Sequence, residues 1–196
     1  MTSARRDRWT LVLAVALPAV VLGTAGLFHP AHLTDADAER WRNIHIVALP
    51  LFPLLALGPW LLARRMHRLG GVVALLLSYV YACFYTGLDL LAGAGAGALK
   101  LEGSEDLGVL FRLASPMEWV GTTAYLAATA VACALVLRRA GLSALPGALI
   151  VVAASVSFLD SHIYWPRGVL MMYALAVGWA ALAAVLGQPT PQRHSA

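Results

Sequence analysis

Between two apolar runs the chain reads SFLDSHIYWPRG, Ser157 to Gly168, which sets an aspartate, a histidine and an arginine within eight positions of one another. Carboxylate and imidazole are the side chains that move protons near neutral pH, imidazole also ligates metals, and a guanidinium holds anions. Similar groups recur where other apolar runs begin or end. Asp89, Asp160, Glu118 and His45 are the acid–base candidates, and Tyr85, Tyr125, Arg167 and Trp41 the candidates for holding a ligand. His45, His162 and Asp89 make a ligand set suited to a divalent metal such as zinc with one position left open. An alternative uses His45 and His162 as the axial pair of a single b-type haem. No HExxH and no P-loop is present, so no motif names a reaction.

Spacing suggests how these groups are presented. Ser78, Tyr81, Tyr85 and Asp89 follow one another at helical intervals and share a face, as do Glu118, Thr122, Tyr125 and Thr129. Ser115-Pro116-Met117-Glu118 carries the signature of a helix start, which gives Glu118 a capping role beside a functional one. Thr34 to Asp37 resembles a capping box, so the next helix carries Trp41 and His45 on one face. His29 and His32 have HxxH spacing, but Pro30 opposes helix there, and both are expected in a solvated loop. Asp160 and His162 lie about 200° apart on a regular helix and face one site only if the helix unwinds.

The elements that must position these groups are apolar. Of 196 residues 60% are hydrophobic and 12% charged, against about 25% charged in ordinary soluble domains. The expected class is all-α, a single integral membrane domain over 1–196, a polytopic bundle of six transmembrane helices at about 9–28, 44–63, 71–91, 117–137, 144–163 and 168–186, with an outer loop over 93–115. The glycine and alanine run Gly93 to Gly97 is expected to be a flexible exit from the third span. The first run is too long for a signal-peptide core and reads as a span. Pro50, Pro53 and Pro59 break the second span, where irregular backbone survives only against protein or a cavity. Cys83 and Cys133 form no CxxC and read as small buried residues.

Charge sets the orientation. Arg5, Arg6, Arg8, Arg64, Arg65, Arg68, Arg138, Arg139 and Arg193 fall on one side, and Arg40, Arg42, Lys100, Arg112 and Arg167 on the other. By the positive-inside rule both termini are cytoplasmic, in a multi-pass protein of the cell membrane. Every acidic residue except Asp7 falls toward the opposite, outer side. No basic stripe interleaves with aromatics, so nucleic acid is not an expected partner.

The fragment Pro116-Met117-Glu118-Trp119 resembles the proline, acid and aromatic pattern of membrane-bound carotenoid and terpene cyclases, which would imply carboxyl-driven protonation of a polyene. It spans four residues that also read as a helix cap, and no role is transferred from it. The leading expectation is a polar site at the outer end of the bundle that binds a small or lipid-like ligand, or a metal ion, with acid–base or metal-assisted chemistry. A non-enzymatic accessory, assembly or scaffold protein is the alternative.

Overall fold

The structure, a computed structural model, describes residues 3–186, and these contain helices and connecting loops with no strand. Arg193 and the carboxyl terminus lie outside the described residues. The helices are α1 (Ser3–Gly26), α2 (Ala38–Ala48), α3 (Leu57–Met66), α4 (Arg68–Leu88), α5 (Ala96–Leu101), α6 (Gly108–Ala140), α7 (Leu145–Ser157) and α8 (Arg167–Leu186). A 3₁₀ turn over Phe52–Ala56 joins α2 to α3, and a π-helical segment over Asp89–Gly95 joins α4 to α5.

Four helical segments are long and apolar enough to cross a membrane: Arg5–Gly26, Arg68–Leu101, Gly108–Ser157 and Arg167–Leu186. A fifth arises if α2 and the 3₁₀ turn with α3, bent by 40°, count as one broken span. The bend falls among Pro50, Pro53 and Pro59, each of which removes a backbone donor. The 50-residue segment is not straight: Gly141, at φ +65, turns the chain so that α7 packs beside α6.

The core is aromatic in the middle and made of small residues where helices meet. Tyr81, Tyr85, Tyr125, Phe158 and Trp179 are fully buried, with Tyr85 central to the ring contacts, against Phe52, Tyr81, Phe158 and His162. Each phenol or indole in this layer has a polar partner, as burial demands. Tyr81 Oη donates to the Phe52 carbonyl at 3.0 Å, inside the break between α2 and α3, and Trp179 Nε1 donates to Tyr125 Oη at 2.9 Å. Ser78, Tyr81, Tyr85 and Asp89 all face inward, as their spacing predicts.

Three expectations are corrected. Cys133 is buried, but Cys83 is exposed on the outward face of α4. Gly93 to Gly97 is helical, the end of the π segment and the start of α5, and the non-helical connection shrinks to 102–107. Helix α6 begins at Gly108 and runs through Pro116, so Ser115 caps nothing and Glu118 sits inside a helix. The capping account of Glu118 therefore fails, because the helix is already formed seven residues before the serine.

Candidate metal centre

Three histidines meet at the end of the bundle opposite the amino terminus. His29 follows α1, His45 lies in the last turn of α2, and His162 lies in the irregular stretch between α7 and α8. Helix α7 ends at Ser157, so the unwinding needed for His162 to turn inward is present. The Trp165–Pro166 peptide in this stretch is cis. Gly168 lets the stretch fold onto the start of α8, since a side chain there would overlap the His162 carbonyl.

One ligand atom from each of the three imidazoles lies within 4.8 Å of the others. His29 Nε2 and His45 Nε2 are 3.3 Å apart, close to the separation of about 3.4 Å between two nitrogens on one tetrahedral zinc ion, from Zn–N lengths of about 2.0–2.1 Å. The outer nitrogens are already committed. His29 Nδ1 is 2.7 Å from the Pro30 carbonyl and His45 Nδ1 is 2.7 Å from the Trp41 carbonyl. A carbonyl only accepts, so both Nδ1 atoms carry the proton and the two Nε2 atoms face each other as lone pairs. His162 Nδ1 is 2.9 Å from Tyr85 Oη, and its Nε2 is buried with no partner among the described residues. Holding one imidazole nitrogen so that the other is aimed at a common point is how proteins orient metal-ligating histidines. Burial pushes the His29 pKa down to about 4, which keeps that ring neutral.

Asp89 stands at the edge of this cluster, at the end of α4 where the π segment begins. Its carboxylate is 3.8 Å from His45 Nε2, it is 1% exposed, and neither oxygen has a hydrogen-bond partner among the described residues. A buried carboxylate without partners costs stability. Asp89→Asn is therefore expected to leave the metal-free protein as stable as the wild type or more so, by about 1 kcal/mol. Thermal unfolding after chelation checks this, because a carboxylate that held the fold together would give a clear loss instead.

A cavity of about 460 Å³ opens beside the cluster, lined among others by Trp41, His45, Asp89, Glu118, His162 and Tyr164. Its rim carries Asp160 and Arg167, which form an exposed ion pair with each other. Phe111, Ala114 and Trp165 give it an apolar wall. Trp41 is fixed by a 3.1 Å hydrogen bond from Nε1 to the Ala92 carbonyl. Gly93 makes room for the cluster, since a methyl group there would overlap the His45 ring.

The sequence-derived candidates thus separate. His45, Asp89, Glu118, His162, Trp41, Asp160 and Arg167 all border the cavity. Tyr85 sits behind His162 as its hydrogen-bond partner, and Tyr125 is buried deeper against Trp179. His29 is a correction: it is buried and central, while His32 is exposed as expected. Pro30, the residue that argued against His29, supplies the carbonyl that fixes its ring. The haem alternative does not fit. His29 stands edge-on to both His45 and His162, with ring centres 4.8 and 5.5 Å away, in the gap that a porphyrin would have to fill.

Compared with protein-family models, with curated proteins and with solved structures, the chain matches none.

Proposed function

We propose that the protein is a six-crossing membrane protein that binds a divalent transition metal, zinc by its ligand set, on His29, His45 and His162, and uses it on a small or lipid-like ligand. Six crossings follow if the bent pair counts as one and Gly108–Ser157 as two, and the positive-inside rule then sets both termini in the cytoplasm and the metal centre on the outer side. The observation that carries the reading is the pair of imidazole lone pairs 3.3 Å apart with both outer nitrogens bound to carbonyls. Neutral rings so arranged repel, and a cation between them turns the repulsion into coordination.

The three histidines would hold the ion as a set of three protein ligands, the number found at catalytic zinc, in contrast to the four protein ligands of structural sites. Such an ion supplies Lewis-acid activation of a water or a carbonyl. Asp89, buried beside the cluster, would be the proton acceptor there. Glu118, from α6, would be the acid available to a departing group, and an anionic part of the ligand would compete with Asp160 for Arg167 at the rim. The apolar wall of Phe111, Ala114 and Trp165 suits a lipid-like molecule arriving from the outer leaflet.

Elemental analysis of the full-length protein, purified without chelator and dialysed against zinc, tests this. About one equivalent of metal per chain is expected for a three-histidine site. Wild-type protein that retains none after dialysis would sink the reading and leave the scaffold alternative.

A further inference from the structure

The end of the bundle away from the histidines has a cavity of its own, about 400 Å³, between the end of α3 and the start of α4. Trp60, Arg64, Arg65, His67 and Arg68 line it, together with Val72 and Leu75. We propose that this cavity binds an anionic phospholipid, its phosphate held by Arg64, Arg65 and Arg68 and an acyl chain lying along Val72 and Leu75.

Charge balance is the first argument. Three guanidinium groups fall within five positions, and among the described residues none of them pairs with a carboxylate. Of the ten acidic residues only Asp7 belongs to this end of the chain's topology, and the undescribed stretches contain no Asp or Glu. No carboxylate of the described residues neutralises the cluster, which leaves it open to an anion from outside the chain. Phosphate oxygens match arginine donors in geometry as well as charge.

The surroundings favour a lipid over a free anion. The Arg64 guanidinium lies 4.8 Å from the centre of the Trp60 ring, which places a delocalised cation on an aromatic surface of the kind found at headgroup level. His67 Nδ1 accepts the Gly70 N–H at 3.1 Å, so in the neutral ring Nε2 carries the proton and remains a donor. Val72 and Leu75 are exposed on the flank of α4, 47% and 44%, directly beyond the arginines. A free phosphate satisfies the arginines and leaves this apolar flank unused; a phospholipid satisfies both. Basic pockets between membrane helices recognise anionic headgroups in this way.

The test is native mass spectrometry of the full-length protein in detergent, offered equal amounts of phosphatidylglycerol and phosphatidylcholine. A preference for the anionic lipid on the order of tenfold is expected from three arginines near a headgroup. Replacing all three together, Arg64→Gln, Arg65→Gln and Arg68→Gln, brings it to parity. Because that variant also removes charge that orients the chain, a second one, Arg64→Lys, Arg65→Lys and Arg68→Lys, keeps the charge and loses the planar donors, and its preference falls by about threefold or more. Parity in the wild type, or an undiminished preference in the lysine variant, overturns the proposal. Displacement of the lipid by millimolar inorganic phosphate overturns the lipid as the source of the anion. Metal content, measured on the same samples, keeps failure here separate from failure at the histidines.

Discussion

Chelation is expected to lower the unfolding temperature of the wild-type protein, and His29→Ala or His162→Ala to abolish that response. An ion that binds only the folded chain stabilises it by about 2.7 kcal/mol when present at 100 times its dissociation constant. For a chain of this length that corresponds to a midpoint shift of about 5–10 °C. The two histidines are chosen because they enter the site from opposite ends of the sequence, His29 after α1 and His162 before α8. His29→Ala also removes one of the two facing lone pairs, so the repulsion that an ion relieves is gone together with a ligand. Unfolding followed by intrinsic fluorescence, with and without zinc, reads the difference. Identical midpoints for zinc-loaded and chelated wild type would show that the imidazoles meet for some other reason.

Gly93→Ala is expected to remove metal binding and to destabilise the protein, although the substitution adds a single methyl group and favours helix. Alanine exceeds glycine in helix propensity by about 1 kcal/mol, which alone would stabilise the segment. Here the new carbon would overlap the His45 ring, and the backbone cannot yield freely because Trp41 is bonded to Ala92 beside it. Either α2 lifts off the segment or His45 leaves its rotamer; overpacking of this kind costs about 1–3 kcal/mol. Gly87→Ala is the control. Its added carbon would meet the flexible thioether of Met117 at 3.0 Å, and stability and metal content are expected to stay near wild type. Equal behaviour of the two variants would mean that Gly93 has no part in holding His45.

Much of the helical order was legible because it depends on periodicity within one segment. The face shared by Ser78, Tyr81, Tyr85 and Asp89 needs only the 3.6-residue repeat, and the apolar runs needed only composition. The break in the second span was visible as three prolines. What escaped the sequence was set by contacts between segments. Pro30 correctly argues against helix at His29, yet it says nothing about a turn whose carbonyl then fixes the ring. Ser115-Pro116-Met117-Glu118 matches a helix start because such a signature is local; nothing in it reports that α6 is already running from Gly108. Gly93 to Gly97 reads as flexible when glycine is judged by chain entropy, but α2 is laid against it, with His45 in the space left at Gly93 and Arg42 in that left at Gly97. The convergence on one point was likewise beyond local rules, since it requires α1, α2 and the stretch after α7 to end at one level.

The distances along the chain have a consequence for biosynthesis. His29 and His45 emerge early and close together, whereas the third imidazole arrives only after α3 to α7 have been made. A nascent chain that has reached α6 contains His29 and His45 and lacks His162. If the proposed centre takes a metal, its third ligand is in place only once the stretch between α7 and α8 has been made. An ion held there would be a late latch joining the oldest part of the molecule to the youngest.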